Sequence, residues 1–302
     1  MLIRMHRSGF RRQPHRPGPA IRGAAWIVLA LLLAQGPAAA LTPRRFGSGP
    51  LMRSVQNETD AAIARAQTWL LEEQAESGCW GGSAYLTAVC ALAVSGDGGP
   101  MPPAHAAGVA RALHWLESHP LEAGTNLQAF AWRSLALHVL GGKKSLSEKP
   151  PAFASTAAAD PLVEFALLEN WRMLGAAMPT NAVWTSAADP VESLVRAAQW
   201  QAPRAVVHAG LRHVAREWEG ADVGGWRTTL AQRAWWLART INRQAAGELN
   251  LTTNLKIDWR RDLADAWVNR QRITTRGGGH WVSDQVSDVE ETAFAILLLR
   301  EL

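Results

Sequence analysis

The sequence predicts an all-α protein assembled from repeated helical hairpins, and three observations lead there. Apolar residues recur at helical spacing, as in Ile63, Ala66 and Leu70, and again in Leu86, Val89, Cys90 and Ala93. That is the mark of a helix with one buried face. No run alternates with the period of two that a half-buried strand needs. Finally, the plan of two helices joined by a Gly-Trp loop occurs near the start of the chain and again at its end. A single hairpin cannot bury its own apolar face, so repeats of about 40–50 residues built from helix pairs imply a partial or closed ring of hairpins, an α/α toroid. An open α-solenoid is the second choice.

In chain order, residues 1–40 read as an export signal. Six arginines and no acids precede "AAWIVLALLLA", and "QGPAAA" ends the stretch with small residues suited to cleavage after about Ala40. An apolar run of about 11 residues falls short of the ~20 that span a bilayer, so a cleaved signal is favoured over an anchor. Periplasm or cell envelope is the expected location, and membrane association would follow only if the signal stayed uncleaved. Residues 41–56 read as a linker, and 57–302 as the domain of hairpins.

Within that domain "AIARAQTWLLEEQ" and "LTAVCALAVSG" form the first pair around "ESGCWGGSAY". "GVARALHWLESHP" and "NLQAFAWRSLALHVLGG" form a second without the loop signature, and 141–161 reads as an internal loop. Further helices are expected near 159–177, 190–200, 203–218 and 226–246. The last pair is "DLADAWVNRQ" and "VEETAFAILLLREL" around "RITTRGGGHWVSD".

Charge gives little direction. The leader holds six of the 31 basic residues and none of the 26 acids, so the remainder carries 25 basic against 26 acidic residues, a net of −1. Nothing there points to nucleic acid. Cys79 and Cys90 could pair in an oxidising compartment or remain packed thiols.

The unit Trp69, Gln74, Gly78 and Trp80 resembles the Gln-Trp repeat of the squalene and oxidosqualene cyclases and of the related protein prenyltransferases. Trp267, Gln271, Gly279 and Trp281 repeat it with a longer gap before Gly-His-Trp. The final hairpin also resembles that of exported bacterial toroid proteins of unknown activity. These residue types make local sense: Gln74 can bond helix-end amides or carbonyls, Gly78 permits a tight reversal, and Trp80 covers the turn.

In hopene and class II terpene cyclases an Asp-Val-Asp-Asp-Thr-Ala stretch opens an inner helix, and its central Asp protonates an isoprenoid. The matching residues are Asp288, Val289, Glu290, Glu291, Thr292 and Ala293. By that resemblance Glu290 would be the acid, with Asp288 and Glu291 tuning it. The plain alternative is a capping box, with Asp288 and Glu291 or Ser287 and Glu290 as its members, and the cap is preferred.

Fifteen tryptophans stand against one tyrosine. Most, including Trp115, fall at packing positions of the repeats. Trp235 and Trp236 cannot face the same way on one helix, so one of them should look into a groove or onto a partner. Together with Trp281 and His280 they are the candidate binding residues, His280 being expected as a solvated loop side chain. His208 and His213 lie five apart and share no helical face, so no metal and no cofactor is expected. The sequence therefore favours an exported toroid that binds a peptide, glycan or lipid through its concave or central face. The second choice is a terpenoid cyclase-like enzyme.

Overall fold

The computed structural model describes residues 44–46, 51–96, 100–121, 126–141, 168–169, 189–245 and 255–302. The proposed leader and most of the 141–161 loop lie outside them. Among the described residues are ten helices and four very short strands, an all-α chain. No helix among them is long and apolar enough to cross a membrane.

The first hairpin joins α1 (Arg53–Glu72) to α2 (Ala84–Ser95). Helix α1 buries one stripe, Ala62, Ala66 and Leu70, as its spacing predicts. Helix α2 is buried nearly all round, from Ala84 through Val94, which is what a uniformly apolar helix must do. The second hairpin repeats the contrast in α3 (Pro103–Ser118) and α4 (Leu127–Gly141). Next come α5 (Pro190–Gln199), α6 (Arg204–Arg216), α7 (Ala221–Thr228) and α8 (Ala231–Ala245), and the chain closes with α9 (Trp259–Val268) and α10 (Asp288–Arg300).

Three expectations are corrected. The linker is not wholly irregular: β1 (Arg44–Phe46) pairs in parallel with β2 (Leu255–Ile257), and α1 begins at Arg53 rather than 57. The helix expected over 226–246 is two, because the chain breaks between Thr228 and Ala231, where the Ala231 amide is taken by a carboxylate from α10. The long gap before Gly-His-Trp is filled by a small antiparallel pair, β3 (Arg272–Ile273) with β4 (Gly279–His280).

The apolar helices α2 and α10 and the amphipathic helix α8 run in the same direction. At their starts the Tyr85 hydroxyl donates to Glu290 at 2.7 Å, and the Ala231 amide donates to Glu291 at 3.1 Å. At their ends Arg300 donates to the Leu92 carbonyl at 3.1 Å, and Asn242 to the Glu301 carbonyl at 3.4 Å. Parallel neighbours need a return helix between them in sequence, and α9 is that helix between α8 and α10; α1 and α9 both pack on α10.

The repeat residues dock one hairpin on the next. Gln74, just beyond α1, donates to Gly78 at 2.8 Å and to Gly108 of α3 at 2.9 Å, and accepts from Arg111. Gln271, just beyond α9, donates to Ala62 of α1 at 2.8 Å and accepts from Arg65 at 2.9 Å. In each case the partners are a carbonyl and an arginine three residues later on the next amphipathic helix. The last hairpin thus docks on the first as the first docks on the second. Gly78 has φ +95°, and a Cβ there would lie 2.5 Å from the Arg111 carbonyl oxygen. Gly78 is therefore required by its backbone and by the Arg111 carbonyl, whereas at Gly279 a Cβ would lie 2.6 Å from the Gln271 amide and would have to push it off Ala62.

Candidate functional site

The residues singled out as a possible acid centre sit where the parallel helices begin. Ser287, at the start of α10, accepts the Glu290 amide at 3.2 Å. The cap is therefore Ser287, not the Asp288 and Glu291 register, and its reciprocal half is missing because the Glu290 carboxylate turns to Tyr85 of α2 instead. Glu291, one residue on, is 1% exposed and points to α8, where it accepts the Ala231 amide. Successive helical positions differ by about 100°, so the two glutamates serve different neighbours and do not converge on one reacting atom.

Burial pushes the Glu291 carboxyl up to about 7 from its ordinary 4.5. The Ala231 amide and Arg270 pull it down, while Glu290 and Asp288 push it further up. A carboxyl that holds its proton near neutrality suits proton donation, but this one is enclosed by its own fold. Burial also raises the Cys90 thiol, with Glu290 adding to the effect. Cys79 and Cys90 are both free and buried, so the disulfide alternative is not realised.

Close to these acids three aromatic rings pack together. Trp132 of α4, Trp235 of α8 and Phe294 of α10 stand at one level, with ring centroids 5.6–6.1 Å apart. Tyr85 meets Trp132 edge-on at 6.2 Å. Trp132, Trp235 and Phe294 are 1%, 4% and 0% exposed. These are distances at which aromatic pairs attract beyond their burial. The sequence had marked neither Trp132 nor Tyr85; the second, as the only tyrosine, was the available signal.

The other candidates separate cleanly. Trp281 is a structural residue: its indole donates to the Trp267 carbonyl at 2.7 Å, just as Trp80 donates to Leu70 at 2.7 Å. Its amide donates to Thr292 as that of Trp80 does to Thr87, both at 3.0 Å. His280 is not a solvated loop residue; it stacks half-buried on Trp69, with centroids 4.8 Å apart. Trp115 stacks in the same manner on His119 at 4.3 Å. Of the adjacent pair, Trp235 enters the central cluster and Trp236 lines a groove of about 320 Å³ between the end of α5 and the second half of α8. Among the described residues no three His, Cys, Asp or Glu side chains gather in a group able to hold a metal ion. No family model, curated protein or solved structure matches the chain.

Proposed function

We propose that this chain is an exported α/α toroid, related in plan to the squalene cyclases and protein prenyltransferases, that works as a non-catalytic binding or scaffold module. The observation that carries the non-catalytic half is the packed cluster of Trp132, Trp235 and Phe294, which fills the space next to the Tyr85–Glu290 bond with side chains. The acids beside it hold α2 and α8 in place. The toroid half is supported by the parallel run of α2, α8 and α10 and by Gln271 binding the first hairpin as Gln74 binds the second. Export is supported by the basic, acid-free leader with its short apolar run.

The test is incubation of the purified protein with squalene and with geranylgeranyl diphosphate, followed by gas chromatography and mass spectrometry. The expected result is no cyclised product. Product that disappears in Glu290→Gln would instead establish the terpenoid cyclase alternative. Export is checked in the same preparation by fractionating the expressing cells: the chain should be found outside the cytoplasm, shortened near Ala40.

A further inference from the structure

Arg196, Arg227, Arg239, Arg243 and Arg261 each meet a carboxylate of the fold. Helix α6 differs: it has no acid in its 13 residues, and it sets Arg204, His208, Arg212 and Arg216 four residues apart. That spacing makes them successive neighbours on one ridge of the helix, about 18 Å from first to last. The three arginines are exposed, and no ion pair or hydrogen bond among the described residues takes up the Arg212 or Arg216 side chain. His208 is the neutral member. It accepts from the Arg204 Nε at 3.2 Å, and burial, with Arg204 and Arg212 adding to it, pushes its pKa down. Like charges at this spacing repel, and Arg204 stands at the N-terminal end, where the helix dipole opposes a cation. The helix therefore keeps its charge at the expense of its own stability, as binding surfaces do. Its surroundings bring little relief. Glu217 follows Arg216 at the C-cap, about 100° round the helix. Glu192, the acid of α5, is taken by Arg196, and β1, which packs against α6, carries Arg44 and Arg45.

We infer that the arginine ridge of α6 docks this protein on the surface of an anionic phospholipid membrane. The inference goes beyond the binding module proposed above, because it concerns α6 and not the centre of the ring; its choice of lipid over nucleic acid rests on the export proposed there. The chemistry selects among partners. Charge alone draws arginines to anionic headgroups, and such a contact needs neither a pocket nor an apolar wedge. The ridge has no wedge: the other exposed residue of α6 is Ala205, and none of its large apolar side chains is exposed. A protein partner would want an apolar centre to its interface, where charges are depleted. A glycan or an unpaired base would want an aromatic face to stack on, and α6 has no tryptophan, tyrosine or phenylalanine. Duplex nucleic acid also answers to charge alone, but an exported chain does not meet it in bulk as it meets lipid. No helix among the described residues is long and apolar enough to cross a membrane, and a few arginines bind headgroups reversibly, so the contact is peripheral.

The test is co-sedimentation of the full chain with vesicles of phosphatidylglycerol and, separately, of phosphatidylcholine at low salt. Every form tested carries glutamine in place of Arg4, Arg7, Arg11, Arg12, Arg16 and Arg22, so that the charge of the leader binds neither vesicle. Saturable binding to phosphatidylglycerol, well above that to phosphatidylcholine and lost as salt is raised, is expected. It should weaken by about tenfold or more in Arg212→Glu with Arg216→Glu. It should stay unchanged in Arg272→Glu with Arg276→Glu, the same change of charge in the β3–β4 hairpin. Thermal melts accompany each variant, and Arg212→Gln with Arg216→Gln replaces the first pair if that pair melts early. Labelled duplex DNA and oligoglutamate are titrated alongside. The assignment is overturned if the two kinds of vesicle bind alike, if the α6 variants bind as wild type does, or if DNA or oligoglutamate binds while the vesicles do not. A chain found only in the cytoplasm removes the export reading and leaves vesicle binding standing; a chain found outside it that ignores phosphatidylglycerol removes the ridge assignment alone.

Discussion

Glu291 is a carboxyl placed where a hydrogen bond wants it and burial penalises it. It supplies the acceptor for the Ala231 amide at the start of α8, and its pKa is raised to about 7. Because the folded value lies above the unfolded one, the folded state is favoured while this group is protonated. That stability is fully present below about pH 4.5 and is lost as pH rises through about 7. The shift corresponds to on the order of 3 kcal/mol. Thermal midpoints of wild type should therefore fall between about pH 5 and pH 8, and Glu291→Gln, a neutral acceptor of similar shape, should lose much of that dependence. Measuring both proteins across the window isolates Glu291 from every other titratable group. Parallel curves would mean that the carboxyl reaches water and that its burial is not felt.

Between elements, the informative unit is the glutamine that ends an amphipathic helix. Gln74 and Gln271 could be read from the sequence as members of a repeated motif, and so could Trp80 and Trp281. Their partners could not. The Gly108 carbonyl is 34 residues from Gln74 and the Ala62 carbonyl 209 from Gln271, and nothing local encodes which helix lies alongside. The second hairpin shows the limit of residue matching. Its Gly-Trp loop is gone, yet the Leu116 carbonyl, which corresponds to that of Leu70, is still bonded, now by the buried Arg133 at 2.9 Å. The bond is kept while the residue type changes, so a pattern in letters loses what the geometry retains. Gln271→Leu would leave the Ala62 carbonyl and the Arg65 guanidinium without this partner, at a cost of about 1–3 kcal/mol. Hydrogen exchange should then quicken in α1 and α9 together, although they stand at opposite ends of the chain. Faster exchange in α9 alone would show that the two hairpins are held together by apolar packing and that the glutamine adds little.

For the whole molecule, helical class was legible because a 3.6-residue period runs through the amphipathic helices such as α1, α6 and α8, whereas the meeting of α4, α8 and α10 was not. Every buried helix face is mainly apolar, and which faces share a level depends on contacts far apart in the chain. The sequence could say that Trp235 and Trp236 face differently; it could not say that Trp235 would meet Trp132 and Phe294. That meeting decides between a packed centre and a reaction chamber, so it is the place to press hardest. Trp132→Ala removes one of the two indoles from a site that is 1% exposed, and such truncations cost about 3–5 kcal/mol when the surroundings cannot collapse. The space left is bounded by Trp235, Phe294 and Tyr85, mainly apolar rings, and dry cavities of this kind take up small aromatic molecules. Added indole should therefore raise the melting midpoint of Trp132→Ala in proportion to its occupancy and leave wild type unmoved. If the variant melts with wild type and ignores indole, the three rings are not packed against one another in solution. The centre is then open space, Glu290 stands at its mouth, and the isoprenoid chemistry becomes the better account of this protein.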